Sequence, residues 1–74
     1  MNGIKVESRG AGYIDFTVAN DCNLYRYEES TGKMKKIFGF PSEWSKALRG
    51  KERKRVEKYA AIAYERNLPF VIFG

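Results

Sequence analysis

Period-two alternation, broken at short intervals by turn residues, governs the first forty positions and leaves room for little except a small antiparallel sheet. Ile4 to Ser8 alternates with Ile4 and Val6 on one face, and Gly10-Ala11-Gly12 supplies a turn where positive backbone angles carry no steric cost. Tyr13 to Ala19 alternates again, with Ile14, Phe16 and Val18 expected inward and Asp15 and Thr17 outward. Asn20-Asp21 is the next turn signal, followed by the tyrosine-rich stretch Asn23 to Glu29 and a third turn at Ser30-Thr31-Gly32. Lys33 to Phe40 then returns, basic in its first half through Lys33, Lys35 and Lys36 and apolar in its second. This is the pattern of a four-stranded antiparallel meander.

The period changes after Phe40-Pro41. Ser42 suits an N-cap with Glu43 in the first turn, and Trp44, Ala47 and Leu48 share a face at helical spacing. Gly50 either ends that short helix or sits inside a longer bent one. From Lys51 to about Asn67 the helical pattern is strong, with Val56, Tyr59, Ala60 and Ala63 as its inner stripe. Asn67-Leu68-Pro69 stops it, and the apolar run Phe70-Val71-Ile72-Phe73 reads as a last strand covered on both faces, inserted into the sheet or lying beside it. The expected fold class is α+β: a small, mainly antiparallel sheet, a meander of about four strands plus a C-terminal strand, with one long or broken helix packed on one face.

Seventy-four residues hold one domain, spanning 1–74, and one small core. Such a core is marginally stable unaided, and an edge strand in so small a sheet admits a homodimer. Cys22 stands alone and histidine is absent, which removes disulfides, cysteine metal clusters, the usual zinc sites and imidazole-assisted nucleophiles. Cys22 itself reads as a small strand residue. Neither metal nor cofactor is expected. No apolar run reaches eighteen residues, so the expectation is a cytoplasmic chain with no membrane partner.

Charge is the feature that points to function. The net +5 resides in Lys46 to Lys58, where Lys46, Arg49, Lys51, Arg53, Lys54, Arg55 and Lys58 face only Glu52 and Glu57, while the rest of the chain balances. On a helical wheel Lys51, Lys54, Arg55 and Lys58 fall at i, i+3, i+4 and i+7, opposite the Val56, Tyr59, Ala63 stripe. Lys51 with Arg55 and Lys54 with Lys58 are like-charge pairs at i, i+4, and cations in a first turn oppose the helix dipole. A cluster of locally unfavourable choices of this kind is relieved by an anionic partner. The expected function is a non-catalytic binding module contacting nucleic-acid phosphates through this helix face, with Lys46 and Arg49 assisting. Lys33, Lys35, Lys36 and Arg26 would extend the positive surface if their hairpin lies near the helix, and Tyr25 and Tyr27 would offer rings for base stacking. The alternative is an acidic protein surface, the chain then acting as a modulator or inhibitor of a larger machine, with Trp44, Ile62 and Tyr64 as apolar centre.

A third reading starts from Ser8-Arg9-Gly10-Ala11-Gly12-Tyr13-Ile14-Asp15, the following hairpin, the Glu28-Glu29 pair, the basic helix and Leu68-Pro69-Phe70-Val71-Ile72. In outline this resembles the core of restriction-endonuclease-like and Holliday-junction-resolvase-like nucleases. The resemblance implies magnesium held by Asp15 and by Glu28 or Glu29. The chain departs from the family's pattern in carrying Ser30 or Thr31 where a catalytic lysine belongs, with Lys33 too far along, and in lacking an N-terminal helix.

Overall fold

The alternating segments do pair in sequence. The structure, a computed structural model, describes residues 2–19, 21, 23–39 and 50–73. Four strands, β1 (Asn2–Gly10), β2 (Tyr13–Val18), β3 (Leu24–Glu28) and β4 (Lys33–Phe38), precede one helix, α1 (Gly50–Glu65), and a last strand, β5 (Phe70–Phe73). The sheet order is β4-β3-β2-β1-β5, and every neighbouring pair is antiparallel. The fold is therefore α+β: among the described residues, a five-stranded sheet with one helix against it. Among the described residues no helix is long and apolar enough to cross a membrane.

The core lies between α1 and one face of the sheet. Ile14, Phe16 and Val18 of β2 point into it with Ile4, Tyr25, Tyr27, Met34 and Phe73, and Val56, Ala60 and Ala63 of α1 are fully covered. Alanine at two of those three positions lets the helix axis approach the strands closely. Tyr59, half-buried, completes the inner stripe by lying flat on Phe73, ring centroids 4.5 Å apart and planes within 4°.

Two turns need glycine for its backbone: Gly12 and Gly32 have φ of 80° and 69°, the left-handed region that side chains disfavour. A bulge in β1 between Val6 and Ser8 shifts the register by one residue, so that Ser8 stands opposite Asp15 and Arg9 opposite Ile14. Arg9 thereby moves to the helix side. Its guanidinium donates from Nη1 and Nη2 to the Ala63 carbonyl, 3.3 Å each, and from Nη2 to the Leu68 carbonyl. The last turn of α1 carries no basic residue of its own, so β1 provides the cation that its C-terminal dipole favours. The helix ends as a Schellman motif: Asn67 takes φ of 55°, and Leu68 N–H donates to Ala63 O over 3.0 Å.

One expectation is corrected. β5 is not covered on both faces: it forms the sheet edge beside β1, and Phe70 and Ile72 remain 58% and 60% exposed on the face opposite α1. Gly50 is the first described residue of α1 and has a φ of 56°; the segment before it, on which its expected role as a helix end or a bend depends, lies outside the described residues. The Ser42 cap, the Trp44, Ala47 and Leu48 stripe, and Cys22 lie outside the described residues.

Candidate functional site

The inner stripe of α1 fixes where its other residues point. With Val56, Ala60 and Ala63 anchored in the core, Lys51, Lys54 and Lys58 are exposed, and Arg55 is half-buried. The Arg55 guanidinium lies over the Phe73 ring at 5.0 Å from its centroid, a cation–π contact that holds the side chain along β5. Among the described residues no carboxylate comes within ion-pair distance of Lys51, Lys54, Arg55 or Lys58.

Glu57 could have neutralised this row, but it is used elsewhere. Its Oε2 accepts from the Met34 backbone N–H at 3.0 Å, while Arg53 Nη2 donates to the Met34 carbonyl at 2.6 Å and Arg53 Nε pairs with Glu57 Oε2 at 3.5 Å. One i, i+4 pair on the helix thus grips both outward backbone groups of a residue on edge strand β4. Sequence reasoning missed this clasp, since in a charge run Arg53 and Glu57 look like any exposed pair.

The expected extension of the positive surface by the β3–β4 hairpin does not form. Arg26 lies on the opposite sheet face, donating from Nε to Asp15 Oδ1 at 2.8 Å and from Nη2 to Oδ2 at 3.1 Å, and its guanidinium covers the Tyr13 ring at 4.1 Å. Lys35 pairs with Glu28 on that same face at 3.0 Å, and Lys33 stands opposite Glu28 in the register. Lys36, opposite Tyr25, is the one lysine of β4 on the helix side.

Tyr25 and Tyr27 are not stacking platforms. They are 4% and 6% exposed, Tyr25 packed on Phe16 and Tyr27 against Tyr64, so their rings belong to the core. Tyr64 is half-buried in that packing, and Ile62, also half-buried, follows Lys58 by one turn. Trp44, Lys46 and Arg49 lie outside the described residues.

Asp15 does not fit a magnesium site. It lies on the outward sheet face, as its place in the alternation predicts, yet it is 7% exposed, because Arg26 and the Ser8 hydroxyl, 3.0 Å from Oδ2, close over it. The hydrogen bond from Arg26 holds its carboxyl below the ordinary value of 3.8, against the opposing effect of burial and with help from Ser8. Both oxygens are engaged, and Glu28, one of the two candidate glutamates, is paired with Lys35, so Asp15 and Glu28 are each already matched to a cation. Among the described residues no group of three acidic, histidine or cysteine side chains could share a metal ion.

The arrangement that remains is a row of cations on one helix, without a carboxylate partner among the described residues, able to meet several anionic oxygens at once. No protein-family model, no curated protein and no solved structure matches this chain.

Proposed function

We propose that the protein is a non-catalytic binding module that docks on nucleic-acid phosphates through the outer face of α1, with Lys51, Lys54 and Lys58 as solvated contacts and Arg55 as a preoriented one. The observation that carries the reading is the pairing pattern: among the described residues no carboxylate forms an ion pair with Lys51, Lys54, Arg55 or Lys58, Glu57 is engaged with Arg53 and β4, and the opposite side of the helix is locked in the core. Lys51 to Lys58 covers about 10 Å of helix, so the row addresses successive phosphates on one strand. With Tyr25 and Tyr27 buried, base stacking drops out, and the reading favours backbone contact with weak sequence preference. A phosphate binder with one lone cysteine fits a reducing cytoplasm.

The test is binding to a short DNA duplex, a duplex RNA and a single strand across a salt series. Four phosphate contacts give a slope of log K on log salt of about −3 to −4 for the DNA duplex. Lys54→Gln and Lys58→Gln should each flatten that slope by about one. Undetectable binding at low salt rejects the proposal.

An acidic protein face is the second reading, supported by half-exposed Ile62 one turn beyond Lys58, which gives the cationic row an apolar neighbour. A modulator or inhibitor of a larger assembly would use it. Loss of partner capture in Ile62→Ser, with nucleic-acid binding absent in the wild type, is the result this alternative requires.

A further inference from the structure

The two edges of the sheet are treated differently. On β4, Lys33, Lys35 and Lys36 line the strand, a register shift interrupts it between Leu24 and Tyr25 of its partner, and the Arg53–Glu57 clasp occupies the outward N–H and C=O of Met34. These are the devices by which a sheet edge is closed to further pairing. On β5 none of them occurs: Phe70, Val71, Ile72 and Phe73 carry no charge, and their register against β1 is unbroken.

The ladder shows which β5 groups face outward. Val6 N–H donates to the Pro69 carbonyl, so the closely bonded pairs along this ladder are Val6 with Pro69 and, two residues on, Ile4 with Val71. The backbone groups of Phe70 and Ile72 therefore point away from the sheet. Their side chains are the exposed ones, 58% and 60%, and Gly3 opposite Ile72 leaves that side chain uncovered on its inner flank.

From this asymmetry we infer that β5 is a homodimerisation edge, pairing antiparallel with β5 of a second copy about a two-fold axis at Val71. Outward groups at Phe70 and Ile72 are symmetric about Val71, so Phe70 of one copy faces Ile72 of the other and both residues exchange N–H···O=C bonds. The strand is its own complement. Its own four side chains carry no charge to repel its twin, Arg55 of α1 lying over Phe73 on the helix face, and each exposed phenyl ring gains the twin's isoleucine as a cross-strand neighbour. Because β4 is closed, association stops at two chains in place of running on as a fibre. The axis of an antiparallel pair stands perpendicular to the sheet, so both α1 helices lie on the same face of a ten-stranded sheet. The dimer would thus carry two cationic rows on one side; its formation does not depend on what anion those rows bind.

The test uses the free, full chain without nucleic acid, so its outcome is independent of the phosphate reading. Sedimentation velocity at high salt, across a protein concentration series, should show the mass rising from 8.5 kDa toward twice that value and no further. Hydrogen exchange at the Phe70 and Ile72 amides should slow with concentration, while the Val71 amide, bonded to β1, is protected throughout. Ile72→Lys, at a position exposed in the single chain, should hold the protein monomeric. Phe38→Lys, at a position 66% exposed but on the closed edge, should leave association unchanged. A wild type that stays monomeric at every concentration overturns the inference, as does growth beyond two chains, or association that survives Ile72→Lys and vanishes with Phe38→Lys.

Discussion

Asp15 illustrates how one side chain's role is decided by neighbours that sequence does not place beside it. Its depressed pKa ties stability to pH: the contribution is present above the unfolded value and is lost as pH falls through the lower folded one. Urea unfolding followed through the acid range should therefore show stability dropping below pH 3.8, and Asp15→Asn should flatten that acid limb. An acid limb identical in the two proteins contradicts the Arg26 assignment. Tyr27 shifts the other way, with burial first and then the nearby Glu65, Glu29 and Glu57 raising its phenol above 10.0. Its stabilising contribution is complete below the unfolded value and disappears as pH rises through the folded one. Ultraviolet titration should show one tyrosine ionising late, absent from Tyr27→Phe; a titration unchanged by that substitution would place Tyr27 outside the core.

At the scale of elements, α1 depends on small residues where it meets the strands. Ala60→Leu puts three extra carbons into a fully covered position and should cost about 1–3 kcal/mol by overpacking. In a domain of this size that is a Tm fall of about 4–8 °C per kcal/mol, read in a thermal melt; no fall means the helix sits further from the sheet. Val56, Ala60 and Ala63 were legible in the sequence because helical spacing repeats over four turns, and Ile14, Phe16 and Val18 because β2 alternates without interruption. Arg9 was not, because the bulge after Val6 reverses the faces of every later β1 residue and nothing in Glu7-Ser8 announces it. The exposure of one face of β5 escaped for a different reason: four apolar residues carry no periodicity, so a run exposed on one face reads like one covered on two. The Arg53–Glu57 clasp on Met34 spans nineteen to twenty-three positions of chain, a separation that no local pattern records.

For the whole molecule, the cationic row sets stability against binding. Like charges at i, i+4 along α1 destabilise the free protein, and with a net +5 they are not compensated elsewhere. Added salt should raise the melting temperature of the free chain by screening this repulsion, and Lys54→Gln should raise it at low salt by a few tenths of a kcal/mol, roughly, while weakening attachment to a polyanion. A protein whose stability and affinity both fell in Lys54→Gln would be using that lysine for packing. The most direct test of the phosphate-docking surface is an amide chemical-shift titration of the full chain with a short DNA duplex at low salt. The account predicts perturbations concentrated at residues 51–58 of α1, fading as salt is added. Perturbations confined to the opposite sheet face, or none at saturating duplex, would contradict it.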